Sequence, residues 1–125
     1  MKYLILIQSN PQWGAAWAAF TPEQQAEAMA VYVDLVDELR SSGELVDAEQ
    51  LAGRETARAV RSTDGVATDA PLAETKEFLS GYYLVDVETY ERAVEIAAKL
   101  PEAEWGGVHV HPILAEDAEP DVSVA

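Results

Sequence analysis

The chain is predicted to fold as an α+β domain, a split βαβ sandwich in which two helices cover one face of an antiparallel sheet. Three observations carry that prediction. Short, strongly apolar runs occupy residues 3–7 and 82–87, valines alternate with histidines over 108–113, and a segment with apolar residues at helical spacing stands in each interval. Between the two helical segments, Thr63-Asp64-Gly65 separates two β-prone arms, which is a good hairpin signal.

Each element has a local reason. Residues 3–7 are continuously apolar rather than alternating, as in a central strand covered on both faces. Ser9-Asn10-Pro11 breaks the run, and Trp13, Trp17 and Phe20 follow in an Ala-rich segment suited to a short helical turn. Thr21 is a favoured N-cap with Gln24 three residues on, and Pro22 suits the first helical position, so a long helix starts here. Met29, Val33, Val36 and Leu39 are read as its apolar stripe, and Gly43 as its left-handed cap. Residues 44–48 suit a short strand, and residues 56–62 and 66–68 the hairpin arms. The second arm leads into a polar elbow over residues 68–77, which feeds the strand at 82–87. Glu88-Thr89 opens a second helix with Tyr90, Ala93, Val94, Ala97 and Leu100 as its stripe, and Pro101 follows its end. In the last strand valines alternate with histidines. One domain is expected over residues 1–114, with an acidic, patternless tail over 115–125 that frays.

The strands look apolar on both sides, yet both helices are expected on one face. The bare face is therefore expected to be buried by a second copy, giving a homodimer.

Composition narrows the function classes. With 125 residues, one core is expected. Eight Lys and Arg against 23 Asp and Glu give a net charge of −15, which repels phosphate backbones and anionic membranes. Neither a nucleic-acid nor a membrane partner is expected. The absence of cysteine removes disulfides, thiolate metal sites and cysteine nucleophiles. The opening residues are too short an apolar run for a signal peptide, so a cytoplasmic protein is expected. No Gly-rich phosphate loop, nucleophile elbow or metal-helix motif occurs, and no cofactor or metal is expected.

Several stretches together carry a family likeness. Met1-Lys2-Tyr3-Leu4, Gly43-Glu44-Leu45-Val46, Glu55-Thr56-Ala57, Asp64-Gly65, the 68–77 elbow, Gly81-Tyr82-Tyr83-Leu84-Val85-Asp86 and residues 110–113 resemble, in order and spacing, the YCII-related proteins, in the group named for its Asp-Gly-Pro-Phe motif. The resemblance covers residues 1 to about 113. It implies a ferredoxin-like fold pairing into a dimeric α/β barrel, and a regulatory or stress-linked setting, since members of the group occur beside extracytoplasmic-function sigma factors. Two departures stand out. The motif reads Asp69-Ala70-Pro71-Leu72 here, and the helix position that carries a proposed catalytic His in the enzyme-like branch is Tyr32. A His–Asp pair on the family pattern therefore does not carry over.

The candidate chemistry follows from these positions. Asp69, the motif acid, has Glu74 and Lys76 nearby and either walls a polar cleft or caps the turn before Pro71. His109 and His111, two apart on a strand, share one face and either relay protons or line a solvated or interface surface. Tyr82 and Tyr83 point to opposite faces, one to the helix-side core and one to the dimer cleft. Arg54, Arg58 and Arg61 either hold an anion or neutralise acids across an interface, and Trp13 and Trp17, four apart, either close over a pocket or form a hydrophobic lid with no ligand, the latter being the expectation. The leading expectation is a protein that binds a small molecule or partner in the dimer cleft. The alternatives are a lyase- or isomerase-type enzyme using Asp69 as base with His109 or His111 as acid, and a purely structural dimerisation module.

Overall fold

The computed structural model describes residues 1–72 and 77–118. Strand β1 (Lys2–Ser9) is followed by helices α1 (Pro11–Ala19) and α2 (Pro22–Ser42), then β2 (Leu45–Gln50), β3 (Arg58–Thr63) and β4 (Val66–Pro71). Strand β5 (Phe78–Asp86), helix α3 (Tyr90–Ala98), a 3-10 turn (Pro101–Trp105) and β6 (Val108–Pro112) complete the domain. The main sheet has the order β2-β5-β1-β6, every neighbouring pair being antiparallel, while β3 and β4 form a separate hairpin. This is the α+β class that the sequence predicts.

The period-two alternation of the strands decides what each face does. Tyr3, Ile5 and Ile7 of β1 lie level with Val85, Tyr83 and Gly81 of β5, and Ile5 also lies level with Val110 of β6. These side chains are buried or half-buried with Leu35 and Leu39 of α2 and Ala93, Ile96 and Ala97 of α3. Full burial of a side chain such as Ile5 or Ile96 contributes about 1.5–3 kcal/mol. On the opposite face Leu4 is level with Leu84 and His111, and Leu6 with Tyr82 and His109. Among the described residues no helix covers this face, and the leucines stay only half-buried. Among the described residues no helix is long and apolar enough to cross a membrane.

Helix α2 begins as its sequence dictates. The Thr21 hydroxyl accepts from the Gln24 amide, the Gln24 side chain accepts from the Thr21 amide, and Gly43 closes the helix at φ 79°. The hairpin turn places Asp64 and Gly65 at φ 51° and 78°.

Four expectations need correction. The buried stripe of α2 is Ala28, Leu35 and Leu39 with Tyr32 and Val36 beside it, whereas Met29 and Val33 are exposed, because the helix is rotated to set Tyr32 over the sheet end. In α3, Ile96 rather than Val94 enters the core. Residues 68–71 are not an elbow but the second arm of the hairpin, since Ala70 pairs with Ala59 and Pro71 with Arg58. The segment with Trp13 and Trp17 is a nine-residue helix, capped by Asn10.

Candidate functional site

A cavity of about 460 Å³ opens on the helix-covered side of the main sheet, at the end where β1 leads into α1. Its floor and one wall come from Ile7 of β1, Ala48 of β2 and Gly81 and Tyr83 of β5; Tyr32 and Val36 come from α2, Trp13 and Trp17 from α1, and Glu102 from the 3-10 turn. The volume and the mostly apolar wall with a few convergent polar groups are those of a small-molecule site.

Asn10 ties the aromatic wall to the acid. Its side-chain oxygen accepts from the Trp13 amide at 2.8 Å, and its Nδ2 donates to the Trp105 carbonyl at 2.9 Å. Helix α1 is thus capped and fastened to the turn carrying Glu102 by one buried residue. The turn is fastened to β1 in the same way, through a hydrogen bond from the Gln8 amide to the Gly107 carbonyl at 2.6 Å. A Cβ on Gly107 would stand 2.4 Å from the Gln8 carbonyl oxygen, so only glycine permits this approach. The Trp13 and Trp17 ring centroids lie 5.9 Å apart, in a tilted pair.

At the floor, the Tyr32 hydroxyl donates to Glu102 Oε1. Glu102 is 5% exposed. Burial pushes its pKa up, partly offset by the hydrogen bond from Tyr32. Burial and the adjacent carboxyl also push the Tyr32 and Tyr83 hydroxyls up. The pair is a carboxyl able to hold or give up a proton, backed by a phenol, in an apolar wall; such groups can orient a ligand or exchange a proton with it. Above the pair, Ser80 Oγ donates to the Ile7 carbonyl at 3.0 Å.

The predicted site residues fall in three separate places. Among the described ones Tyr83 lines the cavity, together with Trp13 and Trp17. Asp69 is exposed on the hairpin and pairs with Arg58 at 3.3 Å. His109 and His111 are exposed on the bare face of the sheet, and there the Tyr82 hydroxyl donates to Asp47 at 2.6 Å. Within one chain, therefore, Asp69 and the histidines do not share the cavity. Arg54 stacks 5.1 Å from the Phe78 ring centroid, away from Arg58 and Arg61 on β3. Glu74 and Lys76 lie outside the described residues. The described residues include no group of three or more His, Asp and Glu able to hold a metal.

Glu102 is the residue that sequence reasoning misses. In Pro101-Glu102-Ala103-Glu104-Trp105 it reads as one more solvated acid after a helix. The available signal is the Gly106-Gly107 pair, which permits the close approach that buries its neighbour.

The family model described as the YCII-related domain matches residues 1–117. An uncharacterized protein of Rhizobium meliloti (strain 1021) is 29% identical over 118 residues, which cover 90% of this chain and 92% of that protein. Among solved structures, a 5-chloro-2-hydroxyhydroquinone dehydrochlorinase from Burkholderia phenoliruptrix, in complex with 2,5-dihydroxybenzoquinone, is similar with a TM-score of 0.48. The two share 14% identity, over 91% of this chain and 94% of that one.

Proposed function

The chain belongs to the YCII-related family, and from that premise we propose that it binds a small molecule in the helix-side cavity rather than in a cleft on the bare sheet face. The ligand has an apolar body of about one ring, held by Trp13, Trp17 and Val36, and a polar end directed at Tyr32 and Glu102. The observation that carries this reading is the buried Glu102 carboxyl facing an aromatic-walled opening. Burial of a carboxyl costs the fold stability that the Tyr32 hydrogen bond offsets only in part, and perturbed acids in clefts mark candidate binding sites.

Tryptophan fluorescence tests it. In a Trp105→Phe background only Trp13 and Trp17 report. Titration with benzyl alcohol, benzylamine and benzoate, which share a ring and differ in charge, is expected to give a saturable change with at least one of them. No saturable change with any of the three contradicts the reading.

We also propose that the bare face is covered by a second copy of the chain. Leu4, Leu6 and Leu84 form its half-buried centre, on strands that pair directly. Every residue of β3 and β4 is exposed, with Val60 at 73%, and a two-stranded hairpin without packing is marginal in water. Arg58 and Arg61 on that arm offer cations to a partner whose net charge is −15. This dimer encloses His109 and His111 without involving the cavity.

A further inference from the structure

We propose that the cavity selects ligands bearing an ammonium group, a deepening of the reading above and dependent on it. Two of the hydroxyls at the floor have already committed their protons inside the protein. Tyr32 donates its hydroxyl proton to Glu102, and Ser80 donates its own to the Ile7 carbonyl. What these two oxygens still offer a ligand is lone pairs, joined by those of the Glu102 carboxylate once it ionises. The complement of an acceptor-rich floor is a group that only donates, and an alkylammonium brings three N–H donors and no acceptor.

Charge points the same way. The side chains and backbone that line the cavity include no Lys, Arg or His among the described residues. An entering carboxylate or phosphate would meet Glu102 with no cation among the described lining residues to receive it. An ammonium instead meets the faces of Trp13 and Trp17, which attract cations, and a chain of net charge −15 draws it in.

The titratable groups facing Glu102 are Tyr32 from α2 and Tyr83 from β5. Helix α1 contributes none. Glu49 of β2 borders the cavity but lies level with Tyr82, which turns its side chain toward the opposite face. Arg54 sits beyond the Phe78 ring. With the cavity empty, burial favours the protonated carboxyl. Entry of the ammonium reverses the preference, so Glu102 ionises and its proton leaves to the buffer as the ion pair forms.

The test compares benzylamine, benzyl alcohol and benzoate by calorimetry and tryptophan fluorescence. Benzylamine is expected to bind about tenfold more tightly than benzyl alcohol, and benzoate not to saturate. The apparent enthalpy for benzylamine is expected to vary with the ionisation enthalpy of the buffer, reporting the released proton. Glu102→Gln should bring amine and alcohol within about threefold of each other and abolish that buffer dependence. Tyr32→Phe, which keeps the ring, should lower amine affinity more than alcohol affinity. Equal or tighter binding of the alcohol by the native protein overturns the charge preference and leaves the cavity reading standing. Absence of binding by all three overturns both.

Discussion

Tyr32 and Glu102, separated by 70 positions in the chain, meet through a hydrogen bond that joins helix α2 to the turn before β6 at the floor of the cavity. The contact is local in space and remote in sequence. It places a buried acid where a surface acid was expected, and the burial raises the pKa of that acid.

Glu102 has its pKa raised in the folded state, so its stabilising contribution is complete below the ordinary value of 4.5 and is lost as pH rises through the folded value. Glu102→Gln cannot ionise and still accepts from Tyr32. The variant is expected to become progressively more stable than the native protein as pH rises above 4.5, by about 1.4 kcal/mol for each unit over which the group titrates. Thermal melts of the two proteins across about pH 5–9 read the difference.

Arg92 and Glu44 behave in the opposite sense. The Arg92 fork donates from Nε and Nη2 to the two carboxylate oxygens, each at 2.8 Å, and Ser42 donates to the same carboxylate. The Arg92 hydrogen bonds hold Glu44 down to about 2, well below its ordinary 4.5. The stability this pair supplies is present above pH 4.5 and is lost as pH falls toward 2. The pair is partly exposed, so Glu44→Gln is expected to cost only about 1–2 kcal/mol at neutral pH. Urea midpoints at about pH 7 and pH 3 should show that the cost shrinks with acid.

Asn10→Ala removes both the cap of α1 and the link to Trp105. The expected loss is about 1–3 kcal/mol, with a red-shifted emission from Trp13 and Trp17 as the wall loosens. Asn10→Asp, which keeps the cap oxygen but not the Nδ2 donor, should recover part of the stability and little of the emission.

The second copy is tested at Leu6, which lies level with Tyr82 and His109 on the bare face. Sedimentation over a concentration series is expected to show a dimer for the native chain. Leu6→Lys should shift it to monomer while leaving the far-ultraviolet spectrum unchanged. A native monomer at micromolar concentration would oppose the proposal.

The sheet and its faces are legible in the sequence because alternation is a direct consequence of strand geometry. Tyr82 and Tyr83 are expected on opposite faces and stand there, Tyr83 at 5% exposed and Tyr82 bonded to Asp47. Capping chemistry is equally local, and Thr21 with Gln24 behaves as written. The helix stripes are less legible, since Met29 and Leu35 are both apolar and only the rotation of α2 against the sheet decides which is buried. The site is the least legible part. Asp69 attracts attention through its motif yet pairs on an exposed hairpin, whereas Glu102 is buried by contacts with Tyr32 and Gly107 whose partners are dispersed along the chain.

The location of binding is tested most directly by a methyl shift map on the protein titrated with benzylamine. Ile7, Val36 and Met29, which line the cavity, are expected to shift together along one saturation curve, while Leu4, Leu6 and Leu84 on the bare face stay in place. Shifts confined to the bare-face leucines, with Ile7 and Val36 unmoved, would contradict it.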